Sequence, residues 1–533
     1  MTSINGAQII GQQLSEQGAE VFHSEQGSTG RVLEPEFRNA TSSEIQQAVL
    51  LAHQAQTPWA HAAPATRASF LRHISLHIDN HQKILLERAA LETGYSAPRL
   101  TMELNRSRQQ LEIFARFIEE GSWVDAVIDQ GDPNHPSMPL PDMRRMLRPL
   151  GPVGVFGASN FPFAISVIGN DAVAAWAAGC PVVVKAHPGH PGTCELLGHC
   201  VRQAIHELNL PEGLFSLLQG KQHRVGQELV QHPQIRAIGF TGSLVGGRAL
   251  WQVAQQRPDP IPFFAELGSL NPVVIIPSAQ QSHPPQFSEG LLQSLAFGQG
   301  QMCTRPGFVF FVESPDATTW KTELVKMATN LAASPLLTRE TFEHFSTTVA
   351  HYQSDLGARL LHPTPSTGSV DPAHVGLHLL EVKAQEILER GVQWRECFGP
   401  ACVLVSCESL DQLKQMTDTL PGGLTLTLHG DESDASEIRE WLSDWQTKFG
   451  RLVWNQFPTG VRIGEATHHG GPYPASFDGQ GTAIGTRSIC RFTRPTCYQN
   501  FPESLLPEEL QSGNPRGIWR KVDGQLTRAA LDD

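Results

Sequence analysis

The 533-residue chain carries little charge and no excess of the positive sign. Asp, Glu, Lys and Arg make up 17% of residues, and 40 Lys+Arg face 53 Asp+Glu, a formal charge of −13. Nucleic acid and anionic membrane both demand a basic footprint, so neither is expected as the main partner. No Lys or Arg precedes Arg31, which leaves no charged n-region for a secretory signal. Between Arg148 and Lys185 the only charge is Asp171, yet Pro152, Pro162, Pro181, Asn160, Asn170 and five glycines break the apolar run. No uninterrupted apolar helix of ~20 residues forms there to cross a bilayer. The nine cysteines include no CxxC pair, and the 22 histidines show no HExxH spacing. Zinc ribbons and disulfide frameworks are therefore set aside, no metal is expected, and free thiols in a reducing cytoplasm are the default. There is no repeat of solenoid period and no low-complexity tract.

What remains is a compact, glycine-rich α/β pattern. The length allows two to four domains at ~100–200 residues each. Thr41 and Glu44 fit a capping box, followed by Ile45, Ala48, Val49 and Ala52 at helical spacing. A second helix is predicted from near Thr66, with Phe70, Leu71, Ile74 and Ile78 on one face, and a third runs from Ile84 to a C′ glycine at Gly94. From residue 150 short apolar runs take over: 153–156, 182–184, 215–218, 237–240, 273–276, 308–311, 402–405 and 452–454. Apolar runs without alternation indicate strands buried on both faces, hence parallel sheets covered by helices. Eight are too many for one comfortable sheet, so two doubly wound domains are expected. The Pro-rich stretch Asp129–Pro141 reads as a linker or exposed hairpin and Pro363–Pro372 as a loop.

Four segments could carry chemistry. Phe297 to Gly307 sets Cys303 between a glycine-flexed approach and a Pro-Gly turn before a buried strand, near backbone N–H groups able to stabilise a thiolate or an oxyanion. Taken singly, such a cysteine is far more often an inert small hydrophobe. Glu266, amid apolar residues and before Leu267-Gly268, suits a base with a burial-raised pKa, against the plainer reading of a capping or solvated glutamate. Asn160 follows a strand and a small-residue turn whose spacing is not GxGxxG. Phe240 to Gly247 is a strand end opening into a helix, where Ser243 and free N–H groups could hold a pyrophosphate, unless it is a plain βα turn.

Their order decides between these readings. Asn160, Lys185, Phe240-Thr241-Gly242-Ser243, Glu266, Cys303 and Glu396-Cys397-Phe398-Gly399-Pro400 together resemble the aldehyde dehydrogenase superfamily over residues ~40–500. The ending His469-Gly470-Gly471-Pro472-Tyr473-Pro474-Ala475, with Arg491-Phe492-Thr493-Arg494-Pro495, looks like its 2-oxoglutarate semialdehyde (2,5-dioxovalerate) dehydrogenase branch, to which NADP-linked fatty aldehyde dehydrogenases are near. The resemblance implies Cys303 as nucleophile, Asn160 with the Cys303 backbone N–H as oxyanion hole, and Glu266 as the base that activates the hydrolytic water. It implies NAD or NADP as cofactor, with Lys185 and Glu396 at its riboses, Ser243 at its pyrophosphate, and Ser159, Gly242, Gly247 and Phe398 around it. The implied domains are 1–127 with 149–266 for the cofactor, 267–459 for catalysis, and a bridging β element from 128–148 and 460–500. That bridge makes a homodimer or homotetramer the expected state, and 501–533 reads as a surface tail.

Departures from the family pattern sharpen the expectations. Pro188 stands where an acidic residue often follows Lys185, which removes repulsion of a 2′-phosphate, so NADP is expected to be tolerated, and a preference for it over NAD is left open. Lys221 and Arg224 are candidate partners for that phosphate, if they are not simply a solvated basic loop. Leu270 replaces a common lysine. His468 and His469 read first as packing and second as channel wall. The partner of a substrate carboxylate is open among Arg462, Arg487, Arg491 and Arg494. Rival readings are a medium- or long-chain aldehyde dehydrogenase, a cofactor-free thiol hydrolase or acyltransferase using Cys303, and a silent binding protein.

Overall fold

A computed structural model describes residues 4–282, 284–362, 374–391 and 393–531. The loop read at Pro363–Pro372 lies outside the described residues. Two seven-stranded sheets and a five-stranded sheet organise the chain.

The first sheet runs in the order Phe263–Glu266, Ala237–Thr241, Val153–Phe156, Val182–Lys185, Phe215–Leu218, Gln8–Ile10, Gln13–Ser15. Its five strands from 153 to 266 are parallel, and an N-terminal hairpin closes one edge antiparallel. The chain steps outward from Val153–Phe156 through two strands, then returns to lay Ala237–Thr241 on the other side. Such a reversal opens a crevice beyond the carboxyl ends of the two strands beside it. Those ends lead into the Asn160 and Ser243 segments. The nearly uncharged stretch before Lys185 is accounted for by the helix Asn170–Ala178, all nine residues of which are buried.

The second sheet runs Arg359–His362, His378–Lys383, Ala401–Cys407, Phe308–Val312, Val273–Ile275, Gly423–His429, Phe449–Trp454. It is parallel except for the edge strand Arg359–His362. The α/β reading with two doubly wound sheets therefore holds, but both sheets are larger than the sequence suggested. His378–Lys383 and Gly423–His429 escaped notice because charge and threonine interrupt their apolar runs. Every residue of Gly423–His429 is nevertheless buried, Thr425 and Thr427 completely. The helical signals match: Glu44 N–H donates to Thr41 Oγ1 at 3.2 Å while Glu44 accepts from Thr41 N–H at 2.8 Å, and Gly94 caps the helix Gln82–Thr93 at φ 68°.

Asp129–Pro141 forms the connection of a hairpin between Val127–Asp129 and Met143–Pro149. The five-stranded sheet is completed by Thr493–Gln499 on one side and by Arg520–Val522 and Gln525–Thr527 on the other. Residues 501–533, read as a surface tail, thus contribute two strands.

A buried ion pair ties the C-terminal segment to the first sheet. Arg491 NH2 bonds Asp171 Oδ1, with both side chains at most 8% exposed. Asp171→Ala strands the guanidinium in the interior, and a loss of about 3–5 kcal/mol in unfolding free energy is expected by urea titration. Adding Arg491→Met to that variant should recover most of the loss.

Candidate active site

Cys303 owes its position to backbone that few residues adopt. Gly298, Gln299 and Gly300 follow one another in left-handed conformation at φ 58°, 59° and 71°. A side chain on Gly300 would also sit 2.5 Å from Pro400 backbone atoms, so only glycine fits there. The loop that follows is pinned from below. Asn271 Nδ2 donates to the carbonyls of Cys303 (2.7 Å) and Arg305 (3.0 Å), and its Oδ1 accepts from Thr425 Oγ1 at 3.0 Å. Buried Arg305 donates to the carbonyls of Cys397 and Ala401, which holds the segment carrying Glu396 and Phe398.

Three side chains converge on this loop. Glu266 ends the strand Phe263–Glu266 and is 3% exposed; His469 comes from the irregular C-terminal segment and is 1% exposed. His469 Nε2 lies 2.8 Å from Glu266 Oε1 and 3.6 Å from Cys303 Sγ. Its Nδ1 is buried without a partner, so the proton of a neutral ring belongs on Nε2, donating to the carboxylate. Burial alone would raise the Glu266 carboxyl, but the His469 imidazole and the Cys303 thiol beside it hold it below the usual carboxylate range. Burial and the adjacent Glu266 charge push the Cys303 thiol well above its ordinary value. The resting pair is thus a protonated thiol next to an ionised carboxylate, an arrangement suited to proton transfer between them. The three donor atoms lie within 4.8 Å of one another, and they form the one group of this kind among the described residues that could gather a metal ion.

Asn160 approaches from the other side. Glu103 accepts from the N–H groups of Phe163 (2.8 Å) and Ala164 (3.0 Å) and pairs with Arg99 at 2.8 Å. Arg99 in turn donates to the Asn160 carbonyl at 2.8 Å and lies 3.6 Å above the Tyr95 ring. Held this way, Asn160 directs one amide N–H to the Gln301 carbonyl at 2.9 Å, two residues before Cys303. Its second amide N–H remains a donor for a ligand.

The remaining predicted residues lie around the crevice of the first sheet. Lys185 ends its strand opposite Phe156, and burial without a carboxylate partner among the described residues brings its ammonium down to about 8. Ser243 caps the helix Leu244–Gln255, its Oγ accepting from Gly246 N–H at 3.2 Å, and Gly242 N–H donates to the Glu266 carbonyl. Gly247 is packed so closely that an added Cβ would meet Leu267 at 2.4 Å. Glu396 lies over Gly268, where a Cβ would fall 1.9 Å from its carboxylate, and burial raises its pKa to about 7. Ser159 and Phe398 are half-buried on their loops. Arg224 is spent locally, on the Ala40 carbonyl at 2.9 Å, Glu228 at 2.9 Å and Ser42 at 3.3 Å. A half-buried ammonium and a helix start beside it could hold an anionic group.

The chain matches the family model "Aldehyde dehydrogenase family" over residues 15–494. It belongs to the aldehyde dehydrogenase family. It is 39% identical over 523 residues to "Alpha-ketoglutaric semialdehyde dehydrogenase 2" of Azospirillum brasilense, covering 98% of this chain and 99% of that protein. It is 38% identical over 529 residues to "Alpha-ketoglutaric semialdehyde dehydrogenase" of Acinetobacter baylyi, covering 99% and 100%. Lactaldehyde dehydrogenase from Escherichia coli shares the fold at TM-score 0.80 and 19% identity, over 92% of this chain and 98% of that one. Methylmalonate-semialdehyde dehydrogenase from Oceanimonas doudoroffii does so at 0.78 and 18%, over 94% and 99%. This aldehyde dehydrogenase therefore oxidises aldehydes with NAD(P).

Sequence reasoning brought Cys303, Glu266 and Asn160 forward but undervalued His469, which was read first as packing. Nothing in a separation of 166 residues signals that it bridges the other two. Asn271 and the Arg99–Glu103 clamp were missed for the same reason. Of the four arginines weighed for a substrate carboxylate, Arg491 is committed to Asp171, while Arg462, Arg487 and Arg494 are exposed.

The arrangement has a pH signature. In enzyme without cofactor, iodoacetamide labelling of Cys303 should be slow at neutral pH and rise only in the alkaline range. Glu266→Gln removes the negative charge that raises the thiol, so the labelling profile should move to lower pH. Peptide mass spectrometry across pH 6–10 measures both.

Proposed function

We propose that this aldehyde dehydrogenase converts 2-oxoglutarate semialdehyde to 2-oxoglutarate. The observation that carries the reading is the end-to-end identity of 38–39% to two enzymes named for that substrate. The site geometry supports the chemistry. Cys303 gives up its proton to Glu266 and the thiolate adds to the aldehyde carbon, forming a thiohemiacetal whose oxyanion accepts from Asn160 Nδ2 and the Cys303 backbone N–H. NAD(P), when bound, supplies the hydride acceptor. Oxidation leaves a thioester on Cys303; Glu266 passes the thiol proton to solvent, and the regenerated carboxylate then takes a proton from water as that water attacks the acyl carbon. The acid leaves with the thiolate restored. The His469 bond at 2.8 Å orients the carboxylate and favours its ionised form before each proton transfer.

Lys185, Ser243 and Glu396, with Ser159, Gly242, Gly247 and Phe398, would hold the cofactor. We infer that NADP is accepted, because Pro188 offers no carboxylate to repel a 2′-phosphate; exposed Lys221 is better placed for that phosphate than Arg224, whose donors are engaged. The five-stranded sheet, with Thr493–Gln499 at its edge, supports assembly into a homodimer or homotetramer through strand addition.

The substrate claim is checked with purified enzyme, 2-oxoglutarate semialdehyde and each cofactor, followed at the reduced-nicotinamide band. Turnover with this aldehyde is expected, and none with either cofactor would refute the assignment. Cys303→Ala should abolish turnover, and Asn160→Ala should lower kcat by about 10²–10³, or ~2.7–4 kcal/mol. Glu266→Gln removes the acceptor of both protons, so it should slow thioester formation as well as hydrolysis, and the thioester that does form should persist on Cys303, detectable by intact-mass spectrometry.

A further inference from the structure

Val153–Phe156 and Val182–Lys185 are neighbouring parallel strands, with Phe156 opposite Lys185. The segment after the first carries Asn160. The segment after the second ends at His190, the residue before the helix Pro191–Glu207. His190 is fully buried, and Cys194 and Ser166 are at most 3% exposed. The proposed mechanism uses none of these three side chains.

His190 stands where a helix ordinarily takes Ser, Thr, Asp or Asn, yet its side chain caps nothing. Glu92 caps the helix instead, accepting from the N–H groups of Gly192 at 2.8 Å and Thr193 at 2.9 Å. The imidazole reaches across to the other segment, where its Nε2 lies 3.0 Å from the Ala158 carbonyl. A carbonyl only accepts, so Nε2 carries a proton and donates it. On the far side of the ring, Cys194 Sγ lies 3.3 Å from Nδ1 and 3.3 Å from Ser166 Oγ. The sulfur donates to a neutral Nδ1 or accepts from a charged one, and in both cases the Nε2 proton stays aimed at Ala158. The His187 ring stacks on His190 with centroids 5.3 Å apart.

Gly157-Ala158-Ser159 offers no large side chain to pack the approach to Asn160, so hydrogen bonds must fix it. Ala158 N–H donates to the Ile165 carbonyl at 2.9 Å, and Arg99 holds the Asn160 carbonyl. We propose that His190 is a positioning residue for catalysis: oriented by Cys194 and Ser166, it holds the Ala158 carbonyl so that the free Asn160 amide hydrogen meets the oxyanion formed at Cys303. This deepens the proposed mechanism and rests on the role of Asn160 in it. A misplacement of about 1 Å can cost a reaction on the order of 100-fold, which is why the anchor matters.

The test uses two readouts. One is kcat with 2-oxoglutarate semialdehyde. The other is acylation of Cys303 by p-nitrophenyl acetate, which needs the oxyanion donors but neither cofactor nor the proposed substrate. His190→Asn reaches only to the Nδ1 position and should lower both rates about 10–100-fold, with the cofactor KM within a few-fold. His190→Gln, which sets an amide N–H where Nε2 was, should recover most of that loss. In an Asn160→Ala background the further loss from His190→Asn should be less than about twofold, because the group it positions is gone. Cys194→Ala should lose several-fold and Cys194→Ser should restore the rate, a comparison that stands even if His190→Asn fails to fold. Full rates in His190→Asn, an undiminished loss in the Asn160→Ala background, or equal rates in Cys194→Ala and wild type would overturn the inference. If Asn160→Ala itself leaves both rates unchanged, the proposed mechanism falls with it, which separates the two failures.

Discussion

A carboxylate buried to 3% exposure needs a partner, and at Glu266 that partner is His469 at 2.8 Å. The bond joins the last residue of a strand in the first sheet to an irregular segment near the C-terminus. Between them it leaves room for one more group, Cys303, which arrives from the second sheet at 3.6 Å from the same imidazole nitrogen. Three stretches of chain with no local reason to meet are thus fixed by one short contact. Without the imidazole, burial would push the carboxyl toward its neutral form, and a neutral acid neither accepts the thiol proton nor activates water. The same carboxylate keeps the neighbouring thiol protonated. Nucleophile and base are thereby coupled, and proton transfer waits for something that stabilises the thiolate, which the polarised aldehyde and its donors supply in the proposed mechanism.

The surrounding loops hold still because buried polar groups replace the hydrogen bonds that a strand would have made. Glu103 satisfies two N–H groups after Asn160, Asn271 satisfies two carbonyls of the cysteine loop, and Arg305 satisfies those of the Glu396 segment. Glu103 reaches from a helix, Asn271 and Arg305 from loops that precede strands, into neighbouring unpaired backbone. Loops fixed in this way keep a ligand-facing side free, whereas pairing into a sheet would consume the donors that face the ligand. Asn160 illustrates the result: one amide hydrogen anchors it to Gln301 and the other is left to act.

How much of this was legible follows from the range of each signal. Strands buried on both faces, such as Val153–Phe156 and Phe215–Leu218, announce themselves as apolar runs, and the Thr41 capping box is complete within four residues. Gly298 and Gly300 mark a loop that only they can follow, so the cysteine approach was readable too. Gly423–His429 was hidden because its inward threonines read as polar, although the interior satisfies Thr425 through Asn271. His469, Asn271 and Glu103 were hidden because their meaning lies in contacts across the fold, and a residue type at a long separation carries no trace of such contacts. Arg224 failed in the opposite sense: as a cation on the right loop it looked free, yet Glu228 and Ala40 already hold it.

A net charge of −13 sits awkwardly with an anionic cofactor and, in the proposed reaction, an anionic substrate. The resolution is local. Most cations near the site, Arg99 and Arg491 among them, are matched to a carboxylate at close range and present little field to a ligand. Lys185 and Arg106 have no carboxylate at salt-bridge distance among the described residues, and both are half-buried, where a positive charge is screened less than on the open surface. Two such groups, one at the crevice of the first sheet and one beside Glu266, act at short range, whereas salt screens a diffuse negative surface within about 8–10 Å. The acidic exterior then costs the chemistry little, while Lys185 pays for its burial with a pKa near 8.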